Sequence, residues 1–158
     1  GDGHGSVLSG FVAGMADLYA WALALVPADR ALHVMGHSLG GARAHAAPLF
    51  MGADRIAGLT SFGAPRLGNL AFWKSHADLF RARLVRVVAG RDLWAGWPWF
   101  FNPAAINFGA LVWLHDGRAD TIDEGDWPGY AAEADHDLDS SYRLRLAAVA
   151  DAPEKAAA

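Results

Sequence analysis

Ala31-Leu32-His33-Val34-Met35-Gly36-His37-Ser38-Leu39-Gly40-Gly41, running on into alanine-rich residues 42–51, is the stretch that decides how this chain folds. A short apolar run that stops at glycine reads as a buried strand, and the small residues after it read as a helix. Between them stands Gly36-x-Ser38-x-Gly40, the spacing of a serine set on a strained strand-to-helix turn. Small residues two positions to either side let strand and helix approach without collision. A helix that begins at the serine aims its first N–H groups at negative charge developing nearby. The stretch predicts acyl transfer with Ser38 as nucleophile. The competing reading is an ordinary turn that contains serine, and the strand before and helix after weigh against it.

Working outward, Ser9 reads as the cap of a helix reaching about Val26, with Phe11, Met15, Leu18, Tyr19, Ala22 and Leu25 on one face and Pro27 as its stop. The elbow helix must bend or end near Pro48, because proline lacks the donor N–H. Residues 55–62 read as a second strand leading into Gly63-Ala64-Pro65, and residues 68–80 as a helix. Residues 84–89 and 110–115 are a third and a fourth strand, and a closing helix covers about 142–150. Strands alternating with helices imply an α/β fold with a mainly parallel sheet. No repeat, linker or composition break divides the chain, so residues 1–158 are expected to form one domain with a ragged tail from Asp151.

Composition narrows the functional classes. A net charge of −4 leaves no basic footprint for nucleic acid. The chain is 53% hydrophobic with 7 Trp and 8 Phe, yet charges interrupt every apolar run well short of a membrane span. Such a surface suits a greasy substrate. Cysteine is absent, which removes thiol and disulfide chemistry.

A serine nucleophile needs a base, and the base an orienting carboxylate. In open α/β sheets reactive groups gather beyond the carboxyl ends of strands. Asp92 meets that test, following the third strand through Gly90-Arg91; its alternative is a solvated loop aspartate. The chain order serine, acid, histidine favours the late histidines. His115 follows the fourth strand, and His136 lies in Asp135-His136-Asp137-Leu138-Asp139 before the closing helix. That acidic run would favour an imidazolium, or it is simply a solvated, helix-capping stretch. Both histidines stay open on these grounds. His33, His37 and His45 flank the elbow and read as packing or surface residues, with His37 kept as a candidate substrate contact.

Three blocks together carry a resemblance: Gly36-His37-Ser38-Leu39-Gly40-Gly41; Thr60-Ser61-Phe62-Gly63-Ala64-Pro65-Arg66-Leu67-Gly68-Asn69 with Phe72 following; and Arg86-Val87-Val88 leading to Asp92. The chain resembles the class 3 lipase family, the fungal-lipase-like α/β-hydrolases, over most of residues 6–145. The resemblance implies Ser38 as nucleophile, Asp92 as acid and His136 as base. It also implies His115 as a non-catalytic histidine and the Leu39 backbone N–H as one oxyanion donor. Where the family usually reads Val-His-x-Gly-Phe, this chain has Val7-Leu8-Ser9-Gly10-Phe11, so the histidine is gone.

The family's first strands, its oxyanion loop and its lid lie upstream of the segment matched by Val7-Leu8-Ser9-Gly10-Phe11. The expectation is therefore an N-terminally partial domain whose chemistry is weakened, since one lost oxyanion donor costs about 10²–10³ in rate. The strand at residues 32–36 is then an apolar edge open to association. Gly1-Asp2-Gly3-His4-Gly5 is either a substitute N–H donor or a flexible end.

After the acid, the family's proline-rich stretch is replaced by Leu93-Trp94-Ala95-Gly96-Trp97-Pro98-Trp99-Phe100-Phe101. Trp94, Trp97, Trp99 and Phe100 are candidate substrate contacts, and residues 94–101 a candidate lipid-interface surface; the alternative is core packing around a long loop. Asp116, Asp120, Asp123, Glu124 and Asp126 match no calcium loop and read as a solvated face. The expected activity is serine carboxylester hydrolysis of acylglycerols or related lipid esters through an acyl-enzyme, needing no metal or organic cofactor. The alternatives are an impaired relative that binds lipid or a partner, and another triad hydrolase such as a thioesterase or peptidase.

Overall fold

Near-continuous apolar runs make the central strands, as expected where a sheet is covered on both faces. In the computed structural model, which describes residues 5–98 and 100–152, the strands are β1 (Leu32–His37), β2 (Ile56–Phe62), β3 (Leu84–Ala89), β4 (Ala110–His115) and β5 (Arg118–Asp123). They form one sheet in the order β1-β2-β3-β4-β5. The first four are parallel and β5 is antiparallel to β4. The expected α/β architecture is present, with β3 and β4 at the bounds read from sequence.

Phe62, Val87, Ala89, Val112 and Leu114 pack with Tyr142 and Val149, while Val88 and Leu111 pack with Ala95 and Trp127. The larger cluster joins Met15, Tyr19, Met51, Ile56, Leu59, Phe72, Trp73 and Phe80, tying the N-terminal helix and the helices before β3 to the sheet. Among the described residues β1 pairs with β2 alone. Its outer side is bordered by an apolar groove of about 490 Å³ that includes Met15, Leu18, Tyr19, Val34 and Met35, and Met35 is 63% exposed.

Several expectations are corrected. The N-terminal helix is two pieces, α1 (Ser9–Val12) and α2 (Met15–Ala24), because Gly14 takes a φ of +72° between them; Leu8, not Ser9, occupies the cap position. The elbow helix α3 (Leu39–His45) gives way to a 3-10 turn, Ala47–Leu49, that holds Pro48. The helix expected over residues 68–80 divides into α4 (Leu70–Ser75) and α5 (Ala77–Arg83); Asn69 caps α4 by accepting the Phe72 N–H at 3.0 Å. The closing helix α6 (Leu144–Ala150) follows a wider π-helical turn, Leu138–Arg143.

Strand β5 was not anticipated; it carries Asp120 and Asp123, which are exposed as the solvated-face reading expected. Glu124 departs from that face, since its carboxylate meets the buried Arg86 guanidinium at 2.8 Å. The expectation for Gly1-Asp2-Gly3-His4-Gly5 falls, but for Gly5, outside the described residues, and Trp99 lies outside them too.

Candidate active site

The turn between β1 and α3 puts Ser38 at φ +56°, ψ −127°, a region costly for a residue with a Cβ. Backbone hydrogen bonds hold it there. The Ser38 N–H donates to Phe62 O at 2.9 Å, and Ser38 O accepts from the Gly41 N–H at 2.9 Å as the helix starts. Glycine is needed at 36, where a Cβ would lie 2.3 Å from the Gly40 carbonyl carbon, and at 41, where it would lie 2.8 Å from Ala64 Cβ. Gly40 has nothing within 4 Å of such a Cβ. The second position that needs glycine is therefore 41, one later than the motif implied.

Asp92 stands two residues past Gly90, which turns the chain out of β3 at φ +49°. Asp92 is fully buried. Its Oδ1 accepts the Trp94 N–H at 2.9 Å, and its Oδ2 accepts the Tyr142 hydroxyl at 2.6 Å. His136 Nδ1 faces both oxygens, at 3.0 and 2.9 Å, while its Nε2 lies 2.8 Å from Ser38 Oγ. The network assigns the proton on Nδ1 to the carboxylate and leaves Nε2 to accept from the serine. A Cβ on Gly63, where φ is +56°, would lie 2.4 Å from Asp92 Oδ2 and 2.6 Å from Tyr142 Oη. Only glycine there lets Asp92, His136 and Tyr142 meet.

His37, the candidate substrate contact, is not among the residues that line the cavity beside Ser38. Its Nε2 lies 2.8 Å from the His136 carbonyl oxygen, and the two rings stand 4.7 Å apart. Burial, opposed by that carbonyl bond, lowers its pKa below the ordinary 6.5. The Tyr142 hydroxyl is pushed well above its usual range, first by burial and then by the charge of Asp92, so it remains a donor. His115, the other candidate base, is held elsewhere: Nε2 lies 2.7 Å from Asp120 Oδ2, and the ring stacks on Trp113 at 3.6 Å.

A cavity of about 180 Å³ opens at Ser38, lined by Phe11, Leu39, Pro65, Trp94 and Trp97. Leu39 is the first residue of α3, and the N–H groups of a helix's first turn have no acceptor within the helix. Trp94 stands 6.1 Å from the His136 ring and Trp97 5.7 Å from Phe11. Phe100 is not in this wall; it projects beside Phe101, the two rings 5.3 Å apart and 73% and 76% exposed.

A polar network supports the wall. The Arg66 N–H donates to Trp97 O at 2.8 Å, Asn107 Nδ2 to Ala95 O at 3.2 Å, and Gly96 lies close against the Tyr130 ring. Tyr130 in turn donates to Glu124 Oε1 at 2.6 Å. Burial would raise the Glu124 pKa, but the Arg86 charge and the Asn107 and Tyr130 bonds outweigh it and hold the group below 4.5. Among the described residues no group of three or more His, Asp or Glu is placed to hold a metal ion, and no helix is long and apolar enough to cross a membrane.

Residues 7–100 match the family described as Lipase (class 3). Among solved structures, lipase II from Rhizopus niveus superposes with a TM-score of 0.61 at 23% identity, over 82% of this chain and 57% of that one. Lip2 lipase from Yarrowia lipolytica gives 0.54 at 20% identity, over 69% and 43%. The Rhizomucor miehei lipase propeptide complex gives 0.54 at 21% identity, over 89% and 49%. This chain thus spans about half the length of these neighbours, and at such identities the likeness shows the fold. No curated protein sequence matches significantly. The family match covers more than half of the chain and takes in the Ser38 turn, the residues 60–69 block and Asp92 within one α/β sheet: this chain belongs to the class 3 lipase family.

Proposed function

We propose that residues 1–158 form a single α/β-hydrolase domain that cleaves lipid carboxylesters through an acyl-enzyme on Ser38. Ser38 Oγ attacks the ester carbonyl carbon while His136 Nε2 takes the hydroxyl proton, and Asp92 stabilises the resulting imidazolium. The oxyanion meets the Leu39 N–H at the head of α3. Collapse expels the alcohol, which leaves with the proton from Nε2. Water then gives a proton to Nε2 and its oxygen to the acyl carbon, and the carboxylic acid departs as Ser38 regains its proton.

The observation that supports this best is the unbroken relay of Ser38 Oγ to His136 Nε2 at 2.8 Å and His136 Nδ1 to Asp92 at 2.9 Å, opening on an apolar cavity. The test is a panel of esters, thioesters and peptides with wild type, Ser38→Ala, His136→Ala and Asp92→Asn. Ester turnover lost in all three folded variants is expected. Turnover retained in Ser38→Ala would remove the reading, and a thioester or peptide preference would reassign the substrate.

The exposed Trp94, Trp97, Phe100 and Phe101 favour contact with a lipid surface at the mouth of the same cavity. Sedimentation with phosphatidylcholine vesicles should retain wild type and release a Phe100→Ser/Phe101→Ser double variant. Vesicle binding by a folded chain that turns over no ester would instead identify a non-catalytic relative that binds lipid.

A further inference from the structure

A solvated, helix-capping stretch was one of the two readings of the acidic run that includes Asp135, but this side chain is only 19% exposed and its two oxygens are used separately. Oδ2 accepts the Arg91 backbone N–H at 2.8 Å, and Oδ1 meets Arg145 Nη2 of α6 at 2.8 Å. Arg91 precedes the acid Asp92, and Asp135 precedes the base His136. The carboxylate therefore bridges the two loops one residue away from their reacting side chains. Gly90 accommodates this bridge: a Cβ there would lie 2.3 Å from Asp135 Oδ2.

Backbone contacts between the same segments run in parallel. The Ala131 and Ala132 N–H groups both donate to Arg91 O at 2.9 Å, and the Leu93 N–H donates to Ala132 O at 3.2 Å. Asp92 and Ala132 form an isolated parallel bridge. A closed circuit results: Asp92 carboxylate, His136 imidazole, His136 backbone, Asp135 carboxylate, Arg91 N–H, Asp92 backbone. Arg145, which also reaches Ser141 Oγ at 3.3 Å, joins the circuit to the closing helix.

We propose that Asp135 is a positioning residue, whose carboxylate clamps the acid loop to the base loop and so fixes the His136 ring against Asp92. The proposal rests on the esterase reading for its catalytic consequence, but the clamp itself is independent of turnover. The base-to-acid distance matters because a misplacement of about 1 Å at a reacting group costs about 10² in rate.

The test compares wild type, Asp135→Ala, Asp135→Asn and Arg145→Met by two readouts. One is the far-downfield proton resonance of His136 Nδ1–H, which reports its bond to Asp92 without any substrate. The other is the division between kcat and KM on p-nitrophenyl butyrate. Asp135→Ala is expected to lose or broaden the resonance and lower kcat about 10- to 100-fold with KM nearly unchanged. Asp135→Asn keeps an amide oxygen for the Arg91 N–H but loses the Arg145 ion pair, so both readouts are expected to lie between wild type and Asp135→Ala, close to Arg145→Met.

Should Asp135→Ala fail to fold, Arg145→Met carries the test. It removes only the anchor, and a broadened resonance with a severalfold lower kcat is expected. A folded Asp135→Ala, or in its place Arg145→Met, that keeps the wild-type resonance and kcat would overturn the clamp while leaving the esterase reading intact. Wild type that shows the resonance but turns over no ester would overturn the esterase reading, with the clamp still decided by the variants' resonance.

Discussion

Replacing Tyr142 by phenylalanine removes one oxygen from the buried underside of the site and little else. The Tyr142 ring is fully buried, edge-on to His37 at 5.4 Å and to Phe62 at 6.2 Å, and phenylalanine keeps those contacts. What disappears is the donor 2.6 Å from Asp92 Oδ2, in a place water does not reach. A hydrogen bond to a charged, buried acceptor contributes about 1.5–3 kcal/mol. For a domain of this size that is a fall in Tm of about 3–12 °C. Asp92 still accepts from the Trp94 N–H and faces His136 Nδ1, so the base stays oriented. Labelling of Ser38 by a fluorophosphonate should therefore slow by no more than about tenfold, against about 10⁴ for Asp92→Asn.

Alkaline melts add a second signature. The Tyr142 pKa is raised well above 10.0, so above pH 10 the unfolded chain gives up a proton that the folded chain keeps. That stabilisation is complete below pH 10 and declines as pH climbs beyond it. Tyr142→Phe should show a shallower alkaline loss of stability than wild type. A variant melting within about 1 °C of wild type, with the same alkaline slope, would refute the bond and the reasoning built on it.

Three further expectations concern groups beneath and beside the nucleophile. Burial, and then the Arg86 charge, lower the His45 pKa from 6.5 to about 3, so between those values the unfolded chain binds a proton that the folded one refuses. Stability should fall by about 1.4 kcal/mol per pH unit below 6.5 from this group alone. Urea unfolding at pH 7 and pH 5 should show that loss in wild type and its absence in His45→Gln; equal losses would exclude it. Gly40→Ala should be tolerated or stabilise by up to about 1 kcal/mol, whereas Gly41→Ala should cost about 1–3 kcal/mol and slow labelling. Thermal melts giving the opposite ranking would show that the elbow is not packed as described. Gly63→Ala should abolish labelling by driving a methyl group between Asp92 and Tyr142, and a labelled, folded variant would contradict that geometry.

The central strands were legible because burial on both faces leaves residues such as Val87, Val88 and Leu114 almost no choice but to be apolar. β5 was not, since Arg118-Ala119-Asp120-Thr121-Ile122-Asp123 lies exposed at the sheet edge and carries no apolar alternation. One sign of it was present: Asp116-Gly117, at φ +46° and +69°, is a hairpin turn signal. The helix read from residue 9 broke because apolar spacing continues across Gly14 while the backbone does not.

Chain order and position after a strand pointed to Ser38 and Asp92 and left His115 and His136 both open; the family resemblance favoured His136, and the structure brings Ser38, Asp92 and His136 within hydrogen-bond reach. Tyr142, Gly63 and Asp135 gave no such sign. Their relation to the site arises only when the end of β2, the loop after β3 and the segment before α6 converge, and no local pattern encodes that meeting. His37 read from the sequence as a packing or surface residue and a candidate substrate contact, and the packing role is the one the structure displays, with its Nε2 2.8 Å from the His136 carbonyl oxygen.

The central claim is that Ser38 is activated by His136 and Asp92, and intact-mass analysis after fluorophosphonate treatment, with Ser38→Ala alongside, tests it without presuming a substrate. One adduct per wild-type chain and none on Ser38→Ala is the predicted result. Folded wild-type protein that takes up no adduct, or a Ser38→Ala variant that takes up as much, would contradict it.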